Sequence, residues 1–122
     1  MKKIASFCAG LLLLSSTSVF AKGHAAIALE QANAAFIHGE AGETSIMIKH
    51  AKYALDHALA ASLAAKSVPK THLDAAAAEL QEAIDLGNLG HIGSATKHAQ
   101  AAVKHIETGN EYMESAVNNQ RH

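Results

Sequence analysis

The chain has 122 residues, with ten Lys and Arg against eleven Asp and Glu, a net charge of −1 with histidines neutral; that length suits one small domain. Without Lys2 and Lys3 the balance becomes eight against eleven, a net charge of −3, which excludes the basic surface that nucleic-acid binding requires. A single cysteine rules out a disulfide scaffold, so stability must come from one continuous apolar core, and nine histidines in a chain with no tryptophan are the compositional anomaly.

Lys2 and Lys3 precede an apolar run centred on Leu11 to Leu14, followed by small residues from Ser15 to Ala21. This is the pattern of a secretory signal peptide over residues 1–21, with Val19 and Ala21 placing cleavage between Ala21 and Lys22. The run is too short to span a bilayer, and Cys8 lies before it, not after it where a lipid-attachment cysteine belongs. The expected product is a periplasmic, cysteine-free domain over residues 22–122 with no membrane span, acting as a monomer.

From His24 onward Ala, Leu, Ile, Glu, Lys and Gln dominate, a helix-forming composition. The pairs Gly39/Gly42 and Gly87/Gly90 read as tight turns between helices. Pro69 marks a third break, and Thr71 with Asp74 resembles a capping box that restarts a helix. Four helices are predicted, over about 24–38, 43–66, 71–86 and 91–117, with a frayed tail from Asn118 to His122. A shift of 48 residues superimposes His24 on His72, Gly39 on Gly87, Gly42 on Gly90, Lys49-His50-Ala51 on Lys97-His98-Ala99, and His57 on His105. One duplicated hairpin cannot hide its apolar face alone, so the expected fold is an all-α, up-down-up-down four-helix bundle with pseudo-twofold symmetry. Its core stripe is Met47, Ala51, Ala54, Ala58, Ala61 and Ala65, matched by Ala95, Ala99, Ala102, Ile106 and Met113. Alanines bury little area each, which makes the bundle modestly stable without a ligand.

The histidines follow the heptad. His91, His98 and His105 are seven residues apart, as are His50 and His57, while Gln31 lies midway between His24 and His38. Neighbours in one stripe are about 10.5 Å apart along the axis, far too distant to share an ion through metal–imidazole bonds of about 2 Å. Partners must therefore come from the facing helix. In antiparallel hairpins, residues whose numbers sum to 81 or to 177 lie opposite. The layers are then His38 with Glu43, Gln31 with His50, His24 with His57, His91 with Leu86, His98 with Glu79, and His105 with His72. Mid-helix histidines precede a core alanine, so they flank the seam, where an imidazole reaches a neighbouring helix while open to an incoming ion. The opposing reading is a solvated face kept through duplication; Met47 and Met113 read as core, and Glu107, Glu111 and Glu114 as solvated.

Cleavage before Lys22 would also create a Lys22-Gly23-His24 terminus, where an amine, two peptide nitrogens and an imidazole form a square-planar set. Cu(II) and Ni(II) favour that geometry, and Cu(II) stands highest among the divalent first-row metals in affinity. The expected cargo is Cu(II) first, then Ni(II) or Zn(II).

The stretch His91-Ile92-Gly93-Ser94-Ala95-Thr96-Lys97-His98-Ala99-Gln100, followed by His105, resembles the periplasmic small metal-binding proteins of bacteria, and the likeness runs from Gly23 to about Glu107. It implies a short Ala- and His-rich four-helix bundle that binds copper and other ions reversibly. The family pattern has H-G-x-x-G-H at both turns, whereas here Glu43 and Leu86 each replace a histidine, and Gln31 and Glu79 stand where the family tends to have one. Glu43 and Glu79 can still ligate but Leu86 cannot, which implies a lower capacity. No H-E-x-x-H, G-x-S-x-G, G-x-x-x-x-G-K or Glu-x-x-His motif argues for an enzyme, and no C-x-x-C-H for covalent haem. A metal-independent periplasmic interaction or chaperone-like protein, with histidines sensing pH near the imidazole value of about 6.5, is the second reading.

Overall fold

The computed structural model describes the backbone of residues 2–120 and the side chains of residues 19–120. It is built of four α-helices: α1 (Lys2–Glu40), α2 (Thr44–Ala64), α3 (Ser67–Asn88) and α4 (Ile92–Gln120). Around the bundle α1 packs on α2, α2 on α3, α3 on α4 and α4 back on α1, while α2 and α4 barely touch across the diagonal. This is the up-down-up-down four-helix bundle expected from the repeat. Among the described residues no helix is long and apolar enough to cross a membrane.

The two hairpin turns are copies of one another. Gly42 and Gly90 have φ of 76° and 84°, the left-handed region that costs glycine little. In the first turn the Glu43 N–H donates to His38 O at 2.9 Å and the Gly42 N–H to Gly39 O at 3.0 Å; His91 to Leu86 and Gly90 to Gly87 repeat both distances in the second. This double bond is a Schellman cap, which closes the helix end and fixes the register of the next helix. The other glycine of each pair has a different task. A Cβ on Gly39 would collide with the Thr96 side chain, and one on Gly87 would lie 2.9 Å from Ile48 Cγ1 and from Met47 Cε. Thr96 and Ile48 are themselves equivalent under the 48-residue shift, so each hairpin seats its turn against the opposite copy through the same close approach.

The seam is an alanine stripe. Ala28, Ala32, Ala35, Ala51, Ala54, Ala58, Ala76, Ala83, Ala95, Ala99 and Ala102 are fully buried around Met47, Leu80 and Ile106. A second cluster of Ala25, Ala61, Ala65 and Leu73, with Met113 partly buried against it, closes the opposite end.

Three expected boundaries move. Helix α1 is continuous from Lys2, so His24 is not a helix start; nothing between residues 15 and 24 has the dihedral demand to end a helix, and Gly23 is accommodated in the interior. Helix α3 begins at Ser67, not Thr71, with Pro69 in its first turn, where a missing N–H breaks no intrahelical bond. The capping box does not form: Asp74 accepts a hydrogen bond from the buried Ser62 hydroxyl, and Lys70 Nζ donates to Ser62 Oγ at 3.0 Å and lies 3.4 Å from Asp74 Oδ2. That cluster ties α2 to α3 across the short link at residues 65–66, after which Ser67, the first residue of α3, takes φ of 58°. Helix α4 runs on through Asn118 to Gln120, because no residue there terminates it; His122 lies outside the described residues.

Candidate metal-binding layers

With register set by the Schellman turns, donor side chains flanking the alanine seam of α1 are brought opposite those of α2, and those of α3 opposite α4. His24 Nδ1 lies 2.8 Å from His57 Nδ1. His50 Nδ1 lies 2.7 Å from Gln31 Oε1, and His38 Nδ1 lies 3.1 Å from Glu43 Oε1. In the second hairpin His72 Nδ1 is 3.1 Å from His105 Nδ1, and His98 Nδ1 is 2.6 Å from Glu79 Oε2. These are the five polar pairs that the register arithmetic brings together. His24, His38, His50, His57, His72, His98 and His105 are all half-buried, each covered by its neighbours on the seam side and open on the other. The sixth layer is different: His91 is exposed and stands just before α4, and the position that matches it in the register is Leu86, whose side chain carries no donor atom.

In the two histidine pairs one Nδ1–H donates to the bare Nδ1 of the other ring, and in the mixed pairs the imidazole N–H donates to the side-chain oxygen. Moving that proton to Nε2 leaves an Nδ1 lone pair aimed at the partner's donor atom. Two nitrogens bound to one ion at about 2.0–2.1 Å stand about 2.9 Å apart at a right angle and about 3.4 Å apart at the tetrahedral angle. Separations of 2.8 and 3.1 Å therefore approach an edge of a coordination polyhedron, and an ion can replace the shared proton with a shift of a few tenths of an ångström.

Each layer supplies only two donors. Among the described residues no three His, Cys, Asp or Glu side chains converge on one point, so a bound ion keeps solvent or another exogenous ligand in its remaining positions.

One feature had no counterpart in the register arithmetic. The rings of His38 and His50 stack with centroids 5.2 Å apart and planes 5° from parallel, joining Glu43, His38, His50 and Gln31 into one strip along the first hairpin. Heptad spacing along a single helix conceals this, because the side chains lean across the groove toward one another. Its equivalent is missing in the second hairpin, where Leu86 replaces the matching ring. Aromatic rings border the other ends: Phe20 lies edge-on to His24 with centroids 4.2 Å apart, and Tyr112 stacks on His72 at 6.1 Å.

A search of curated proteins returns no match to this chain. The profile of the family described as small metal-binding protein matches residues 1–109, which takes in the first three helices, α4 as far as Gly109 and every paired donor described above. By that match over most of its length, and with the four-helix bundle expected of the resemblance in place, the chain belongs to the small metal-binding protein family.

Proposed function

We propose that this protein is exported, cleaved after Ala21, and buffers divalent metal ions in the periplasm, Cu(II) first, at the interhelical layers of its two hairpins. The observation that carries the reading is the alignment of five donor pairs at 2.6–3.1 Å along two seams. A single pair of this kind is an ordinary surface hydrogen bond; five in register, on both copies of a duplicated unit, form a ladder of equivalent two-donor sites.

The chemistry follows from the donors. Imidazole nitrogens with carboxylate or amide oxygens suit Cu(II), and the affinity order of first-row ions favours it over Zn(II) and Ni(II). His24 with His57 and His72 with His105 offer two nitrogens each, His98 with Glu79 and His38 with Glu43 a nitrogen and a carboxylate, and His50 with Gln31 a nitrogen and a neutral oxygen. Two protein ligands per ion leave the coordination open on the solvent side, so ions enter and leave without unfolding the bundle. Such a protein trades affinity at any one site for number of sites, which suits a buffer and not a permanent metal centre. Along the helix axes the rungs of one ladder are about 10.5 Å apart, but the stacked His38 and His50 rings, 5.2 Å apart, bring the donors of two rungs of the first hairpin side by side.

The test is equilibrium dialysis of the untagged mature protein with Cu(II) at pH 7.5. More than one ion per chain is expected, and a stoichiometry of zero or one overturns the distributed-layer reading.

A further inference from the structure

The two histidine pairs are related by the repeat, yet their surroundings differ at one end. Lys22-Gly23-His24 corresponds to Lys70-Thr71-His72. The second tripeptide lies inside α3 with its main-chain nitrogens committed to the polypeptide, whereas cleavage after Ala21 turns the first into a free terminus. We propose that the chain starting at Lys22 chelates Cu(II) or Ni(II) through the Lys22 α-amine, the main-chain nitrogens of Gly23 and His24, and Nδ1 of His24. We further propose that this chelate takes His24 away from His57, so that the amino-terminal layer holds either a square-planar ion at the terminus or a tetrahedral ion between α1 and α2. The inference rests on the export reading above for its free amine.

Ring size selects the atom. From the amine to the Gly23 nitrogen and from there to the His24 nitrogen, an ion closes two five-membered rings. Bonding to Nδ1 of the same histidine closes a six-membered ring, whereas Nε2 is too remote. Nδ1 is also the atom that His24 presents to His57, at 2.8 Å. The two modes therefore draw on the same lone pair and exclude each other.

The surroundings permit the terminal mode. Gly23 is exposed, and a Cβ added to it would meet nothing within 4 Å, so the main chain there is open to an ion. Removal of residues 1–21 takes away the helical acceptors of the Gly23 and His24 N–H groups, so losing those hydrogens breaks no intrahelical bond. Residues 22–24 must leave helical dihedrals to become coplanar with the ion, but Ala25 and Ala28 are fully buried and keep the rest of α1 in place. With the imidazole neutral, binding releases one ammonium proton and two amide protons to solvent, and the two amidate charges balance the divalent ion; no electron is transferred. Zn(II), which prefers tetrahedral N and O ligands, stays with the His24–His57 layer.

The experiment uses untagged protein recovered after export, its terminus established by sequencing. One variant carries a glycine inserted between Lys22 and Gly23, which moves the imidazole to the fourth position while keeping Ala21-Lys22 at the cut and His24 opposite His57. The other is His57→Ala. The readouts are the visible absorption of the one-equivalent Cu(II) complex and the amount of Zn(II) bound. The insertion is expected to shift the Cu(II) band to longer wavelength and weaken the first equivalent by about tenfold or more, with Zn(II) binding retained. His57→Ala is expected to keep the Cu(II) band and lose Zn(II) from that layer. An unchanged band on insertion, or a mature chain that starts elsewhere, overturns the terminal chelate. In either case, copper still bound at the other layers by dialysis would show that the buffering reading survives.

Discussion

Replacing His105 with alanine separates a layer from its surroundings with the least disturbance, because its partner His72 keeps its stack on Tyr112 and the adjacent core residue Ile106 is untouched. Without metal, the change removes a half-exposed hydrogen bond of 3.1 Å, worth no more than about 1 kcal/mol, and the melting temperature should fall by a few degrees. With metal the effect is larger. A ligand that binds only the folded state at a hundred times its Kd stabilises by about 2.7 kcal/mol. In a domain of this size 1 kcal/mol corresponds to about 4–8 °C, so one saturated layer contributes on the order of 10–20 °C. Differential scanning calorimetry at pH 7.5, with and without Cu(II), should therefore show the copper-induced rise shrinking by about that amount in His105→Ala. His91→Ala should keep the full rise, since His91 is exposed and is matched in the register by Leu86. Equal copper-induced rises in the wild-type protein and His105→Ala would refute the assignment of the His72–His105 pair as a metal layer.

Acidification from pH 7.5 toward 5 should abolish the copper-induced rise, as protons compete with metal for imidazole nitrogen; a rise of the same size at both values would point away from histidine ligation. Leu86→His should add a donor opposite His91 and a ring beside His98, recreating the strip of the first hairpin, and equilibrium dialysis should then find about one further Cu(II) per chain. Gly39→Ala should destabilise the metal-free protein by about 1–3 kcal/mol through its collision with Thr96, partly offset by the roughly 1 kcal/mol that alanine gains over glycine in a helix. Urea unfolding measures this, and Thr96→Ala in the same chain should recover most of the loss; Gly23→Ala, with open space around it, should cost nothing.

What the sequence disclosed was what the backbone makes obligatory. The turn glycines at 42 and 90 have no alternative residue of comparable ease at positive φ, and once the same six-residue turn closes each hairpin, the register and hence the five pairs follow from helix geometry. The less legible features depend on side chains choosing among partners. Asp74 could have capped its own helix with Thr71, but Ser62 of α2 and Lys70, one turn earlier in α3 itself, engage it. Pro69 reads as a breaker unless it is seen to occupy the first turn. The His38–His50 stack was hidden because heptad counting fixes heights along an axis and says nothing of lateral lean.

The alanine seam, which looked like a weakness in core burial, is also what sets the layers. Donors flank the core, so the separation of facing helices decides whether their tips meet. In the first hairpin Ala25 and Ala58 stand beside His24 and His57, whose nitrogens are 2.8 Å apart; in the second, Leu73 and Ile106 stand beside His72 and His105, whose nitrogens are 3.1 Å apart. Small residues let helices approach closely, and both separations lie near an edge of a coordination polyhedron. If the layers hold ions as proposed, the alanine seam that limits buried area also sets the spacing of the donors, and binding to the folded state alone would add the stability that a small-residue core lacks.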